Sequence, residues 1–168
     1  EYIFSCIYEQ LQYLPCHRID KLQEIEQEIY SVLAENPDNI WGLITLLKNQ
    51  QMQGKTEKAT QLAHKIWSIG GEISSFQEYC YVDILLSLGM LNMALTLLQP
   101  RFSNLAENKE FFYPVMIRFA LLTGNLPLLS QVLEFGDDSS YYLFENFINC
   151  IITIWNTTFF IKIFFHCI

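Results

Sequence analysis

An all-α array of stacked helix hairpins is the fold class predicted by this sequence of 168 residues. Three observations carry it. Gly54, Gly89 and Gly124 stand 35 residues apart, and a fixed period of roughly 20 to 50 residues marks stacked repeats. The flanking positions keep the same step. Ala59, Ala94 and Leu129 follow each glycine, then Leu62, Leu97 and Val132; Leu47, Val82 and Ile117 precede it, and so do the aromatic residues Trp41, Phe76 and Phe111. Composition agrees: Leu, Ile, Gln, Glu and Asn dominate the middle of the chain, while 5 prolines and 7 glycines are too few for a turn-rich sandwich.

Residues 1–36 hold two apolar segments that predict a leading hairpin of degenerate sequence. In the second, Leu22, Ile25, Ile29, Val32 and Leu33 form a helical stripe, with Asp20 expected as N-cap and Pro37 as terminator. "ENPDN" at 35–39 is a break that offers Asn or Asp to cap the next helix. Each unit that follows then reads as helix, glycine turn, helix. The first helices are expected over roughly 39–53, 74–88 and 109–123, and the second over roughly 55–69, 90–103 and 126–136. The stretch "LLSLGMLNMALTLLQ" at 85–99 shows why the glycine matters. It is apolar and helix-forming throughout, so Gly89 would weaken one long helix, whereas after a helix it takes a left-handed conformation without a Cβ penalty. Pro127 falls in the first turn of its helix, where a missing N–H does no harm. Ala59, Ala63 and Ala94 are small enough to let paired helices approach closely.

The repeat stops near residue 138, which divides the chain into a helical-repeat domain over 1–138 and a C-terminal apolar helix or tail over 139–168. Lys162 is the only charged residue from 147 to 168. That stretch is long enough for a membrane span, but it has no basic flank and carries three Thr and two Asn. A capping helix over the last repeat and a non-native tail are the other two readings.

The unit at 37–67, "PDNIWGLITLLKNQQMQGKTEKATQLAHKIW", resembles the tetratricopeptide repeat family. It has the Pro-Asp-Asn lead-in, Leu43 and Leu46 in the first helix, Gly54 at the turn, and Ala59 and Ala63 in the second helix. The units around Gly89 and Gly124 match less well, and the step of 35 departs from the family's usual one. The resemblance covers roughly residues 37–136 and implies a right-handed superhelix, an α-solenoid whose first helices line a concave groove. In the family's register, Trp41, Lys48, Phe76, Tyr79, Asp83, Phe111 and Arg118 face that groove. Aromatic and arginine side chains are good anchors for a partner, although the aromatics equally fit packing between repeats. Some family members clamp a C-terminal carboxylate with Lys and Asn. The corresponding positions here hold Ile44, Lys48, Cys80 and Tyr79, so that clamp is not expected.

Charge and motifs narrow the function. With a net charge of −8 and no Lys/Arg cluster, the chain repels phosphate. The same step of 35 fits pentatricopeptide-like RNA readers, but these need a basic groove, so no nucleic-acid partner is expected. Cys6, Cys16, Cys80, Cys150 and Cys167 form no CxxC pair, and His17, His64 and His166 complete no zinc pattern. They read as free, mostly buried thiols in a reducing, cytoplasmic compartment. The chain opens on Glu1 and reads as a fragment of a longer protein; its first residues do not resemble a secretory signal. "NTT" at 156–158 is an incidental glycosylation match. "GDD" at 136–138 is expected to cap a turn, and Glu24, Glu26 and Glu28 to lie on a solvated face. His64 has no partner in sequence for catalysis, and no nucleotide-binding, zincin or nucleophile-elbow motif occurs. The expectation is therefore a non-enzymatic scaffold or adaptor, without cofactor or metal, that binds a peptide or helix of a partner protein. An RNA-binding repeat and an adaptor anchored in a membrane through 147–168 are the alternatives.

Overall fold

A computed structural model describes residues 2–103 and 109–135, without the side chains of 109–111 and 135. The described residues form eight α-helices and no strand: α1 Tyr2–Tyr13, α2 Ile19–Leu33, α3 Ile40–Met52, α4 Thr56–Ile69, α5 Ser75–Ser87, α6 Leu91–Phe102, α7 Lys109–Thr123 and α8 Leu126–Phe135. The expected C-terminal helix or tail over 139–168 lies outside them, as does "GDD" at 136–138. The chain divides into two compact units, 1–90 and 91–168, so the division falls just after Gly89.

The glycine turn recurs with the same hydrogen bonds. Gly54, Gly89 and Gly124 have φ of 69°, 72° and 67°. The N–H after each glycine donates to the carbonyl five residues earlier: Lys55 to Gln50, Met90 to Leu85, and Asn125 to Ala120, each at 2.9–3.0 Å. Each glycine N–H donates three residues back, to Gln51, Leu86 and Leu121. This pair of bonds is the Schellman motif, which satisfies the orphan carbonyls of a helix end. An ideal Cβ on Gly89 would meet nothing within 4 Å. Gly89→Ala is therefore expected to cost only the backbone term, about 1 kcal/mol, read as a shift in urea midpoint.

The helix starts are fixed as locally as the ends. The Asn39 side chain accepts from the Gly42 N–H at 2.8 Å. Ser74 and Gln77 form a reciprocal capping box at α5, and Asn125 Oδ1 accepts from the Leu128 N–H at 3.1 Å. Two boundaries of α2 differ from expectation. Arg18, not Asp20, is its N-cap, and Asp20 sits in the first turn. There Asp20 pairs with Arg18 at 3.0 Å; the hydrogen bond from Arg18 brings its carboxyl down to about 2. The helix ends at Leu33, before Pro37, because Ala34 already closes it with a bond to the Tyr30 carbonyl.

In the first unit α3 is the hub, packed against α1, α2, α4 and α5. It is buried around most of its circumference, and Ile44 and Leu47 have no exposed surface. Ala59 and Ala63 are fully buried on α4, where small side chains let it lie close on α3. The Tyr81 hydroxyl of α5 donates to the Ala63 carbonyl at 2.7 Å. Glu26 departs from the solvated face assigned to it: it is 5% exposed and holds Lys55 at 2.6 Å. A helix turns about 100° per residue, so Glu24 and Glu28 share a face and Glu26 lies opposite.

In the second unit α7 packs against both α6 and α8. Phe112, Met116, Ile117 and Val132 are buried there, and the Phe102 and Phe119 rings stand 6.3 Å apart. The Arg101 guanidinium lies 4.8 Å over the Phe112 ring. Pro114 lies inside α7 and supplies no N–H to its ladder.

Candidate partner-binding groove

The first helices of the hairpins in unit 1, α1, α3 and α5, carry an aromatic ladder. Apolar residues at helical spacing on α1 place Phe4, Ile7, Tyr8 and Leu11 on its buried face. The Tyr8 ring lies 4.9 Å from Trp41, Trp41 lies 5.9 Å from Phe76 edge to face, and Phe76 lies 6.4 Å from Tyr79. Trp41 Nε1 donates to Ser5 Oγ at 3.1 Å. Trp41 is 3% exposed and Phe76 is 39% exposed. Trp41 thus serves packing between helices, while Phe76 is partly open at the surface.

Beside the ladder is a cavity of about 400 Å³. α1 contributes Tyr8, Leu11 and Gln12, α3 contributes Lys48, Gln51 and Met52, and α5 contributes Tyr79 and Asp83; Leu14 and Cys16 close it from the loop after α1. Lys48, Tyr79 and Asp83 are half-buried. The structure therefore brings together Trp41, Phe76 and Tyr79 in one ladder and Lys48, Tyr79 and Asp83 on one cavity. Arg118 is half-buried on α7 in the other unit, and the Phe111 side chain lies outside the described residues.

Cys80 is fully buried next to this cavity. Burial pushes its thiol up to about 12, with a hydrogen bond from Tyr8 and the charge of Lys48 acting the other way. Burial likewise raises the Tyr8 phenol, and Cys80 and Asp83 add to it. Both groups stay protonated at neutral pH, so neither is a nucleophile or base there. Cys16, in the loop after α1, is exposed, against the expectation of mostly buried thiols, whereas Cys6 is half-buried and Cys80 buried. Alkylation at pH 8 in native buffer is expected to modify Cys16 readily and Cys80 only after denaturation, as mass mapping of the labelled peptides would show.

Tyr8, Gln12, Cys16 and Gln51 also line this cavity, although the repeat register does not point to them. The step of 35 back from Gly54 falls on Ile19, so the glycine register does not reach α1; the helical spacing of Phe4, Tyr8 and Leu11 was the available signal. Among the described residues no group of three or more His, Cys, Asp or Glu is arranged to hold a metal. No described helix is long and apolar enough to cross a membrane. Comparison with protein-family models, curated proteins and solved structures returns no match.

Proposed function

We propose that the chain is a non-catalytic protein-interaction module of the tetratricopeptide-like kind, a scaffold or adaptor that holds a segment of a partner protein across α1, α3 and α5. One observation carries the reading: Lys48, Tyr79 and Asp83 line one cavity together with Tyr8 and Gln12, all from the first helices of successive hairpins. A floor of packed helices presents half-buried polar and aromatic side chains on an already ordered backbone, which lowers the cost of binding. Cation and carboxylate on adjacent helices give the groove polarity along its length, and hence a preferred direction for a bound segment. The free Cys6, Cys16 and Cys80 fit a cytoplasmic setting.

The test is affinity capture from cell lysate on the immobilised chain, with and without nuclease, beside a Lys48→Glu/Asp83→Lys variant. The reading requires a protein that survives nuclease and is reduced at least tenfold by the double reversal, which also places its site. Recovery that depends on RNA would transfer the function to a nucleic-acid reader, in spite of the net charge of −8.

A further inference from the structure

We propose a second docking surface on the first unit: a groove between α2 and α4 that takes an acidic amphipathic helix of a partner protein. The surface is independent of the groove over α1, α3 and α5. Helices α2 and α4 both pack on α3, and a depression of about 630 Å³ runs between them. Its floor is apolar: Leu43 and Leu46 of α3, with Leu33 of α2 and Leu62 of α4 at the sides. Tyr30, 45% exposed, stands at the edge.

Two observations select the occupant. The charged side chains that line the groove are Lys58 and Lys65, and no carboxylate lines it, although the chain carries −8. Lys65 is already held by Asp38 at 3.1 Å and by the Pro37 carbonyl, so Lys58 is the charge that steers a partner, and the partner is acidic. The floor also selects backbone form. An extended segment laid on Leu43 and Leu46 would bury N–H and C=O groups without partners, whereas a helix satisfies its own and presents apolar residues at i, i+3, i+4 and i+7.

The test uses the full chain and three fluorescein-labelled peptides of equal length. The first has Leu at helical spacing with Glu on the other face. The second carries Lys in place of Glu, and the third has the composition of the first with its Leu order scrambled. Anisotropy titrations are expected to show the first binding at least tenfold more tightly than the other two. Lys58→Glu, at an exposed position that leaves the fold intact, is expected to weaken the first peptide about fivefold and favour the second. The Lys48→Glu/Asp83→Lys variant is expected to bind the first peptide unchanged. Equal binding of the scrambled peptide, indifference to Lys58→Glu, or loss of binding in the Lys48→Glu/Asp83→Lys variant would each overturn the proposal.

Discussion

Alanine at position 42 is expected to destabilise the protein by about 1–2 kcal/mol, and valine by about 3 kcal/mol. The reason is space rather than backbone conformation. A Cβ on Gly42 would lie 2.6 Å from Cζ of Phe4 and 2.7 Å from Cδ2 of Leu33. Both neighbours are themselves buried, at 3% and 6% exposure, so each would have to shift within the core rather than out into solvent. They come from different helices, α1 and α2, which means that α3 is approached closely from two sides at this residue. Alanine's better helix propensity returns about 1 kcal/mol, which does not offset the overpacking. Urea unfolding of Gly42→Ala beside Gly42→Ala/Phe4→Leu checks the cause. The smaller partner is expected to recover part of the loss, so that the two changes are not additive. If Gly42→Ala alone is as stable as the parent, α1 and α2 do not approach α3 this closely.

Gly42 and Gly89 show what could be read from the amino-acid text. Gly89, Gly54 and Gly124 were legible because their role is local: a left-handed turn with its two hydrogen bonds is written within six residues, and three copies repeat it. Helix boundaries followed, to within about two residues for α3 to α8. The role of Gly42 is not local. It depends on Phe4 and Leu33, which no spacing in the sequence connects to it. The residues that line the cavity over α1, α3 and α5 divide in the same way. Lys48, Tyr79 and Asp83 lie on positions that the register groups together, but Tyr8 and Gln12 come from a first hairpin without the glycine, where register gives no guide. Trp41 keeps the step of 35 with Phe76. Its burial follows from Tyr8 and Phe76 on the neighbouring helices, and periodicity alone does not distinguish a packing aromatic from a surface one.

Lys55→Ala is expected to cost about 2–3 kcal/mol and to weaken the pH dependence of stability contributed by Glu26. Lys55 follows the Gly54 turn directly, and the turn carries its side chain back to α2. There Nζ meets Glu26 Oε2 at 2.6 Å, and Gln53 Nε2 meets the same oxygen at 3.1 Å. Asn49 on α3 donates to the Leu22 carbonyl at 2.9 Å, so the first two hairpins are joined by a small polar cluster. The expected cost is below the roughly 3–5 kcal/mol of a fully buried pair, because the Lys55 side chain is 31% exposed. Burial alone pushes the Glu26 carboxyl up, but the hydrogen bonds from Lys55 and Gln53 and the Lys55 charge outweigh it and leave it below the ordinary glutamate value. A carboxyl lowered in the folded state binds its proton more readily when unfolded. Its contribution is therefore complete above about pH 4.3 and disappears as pH falls through the folded value. Without Lys55 its hydrogen bond and its charge are lost while the hydrogen bonds of Gln53 and Gln50 stay, so the folded value moves up toward the unfolded one. The stability that ionised Glu26 contributes near neutral pH is then smaller, so the deficit of Lys55→Ala relative to the parent shrinks on acidification. Urea midpoints of both proteins at pH 7, 5, 4 and 3 measure this convergence, and curves that stay parallel would show that the pair is not coupled. A Glu26→Gln/Lys55→Met chain, which removes both charges from the same site, is expected to regain most of the stability at neutral pH and to lose the Glu26 pH dependence altogether.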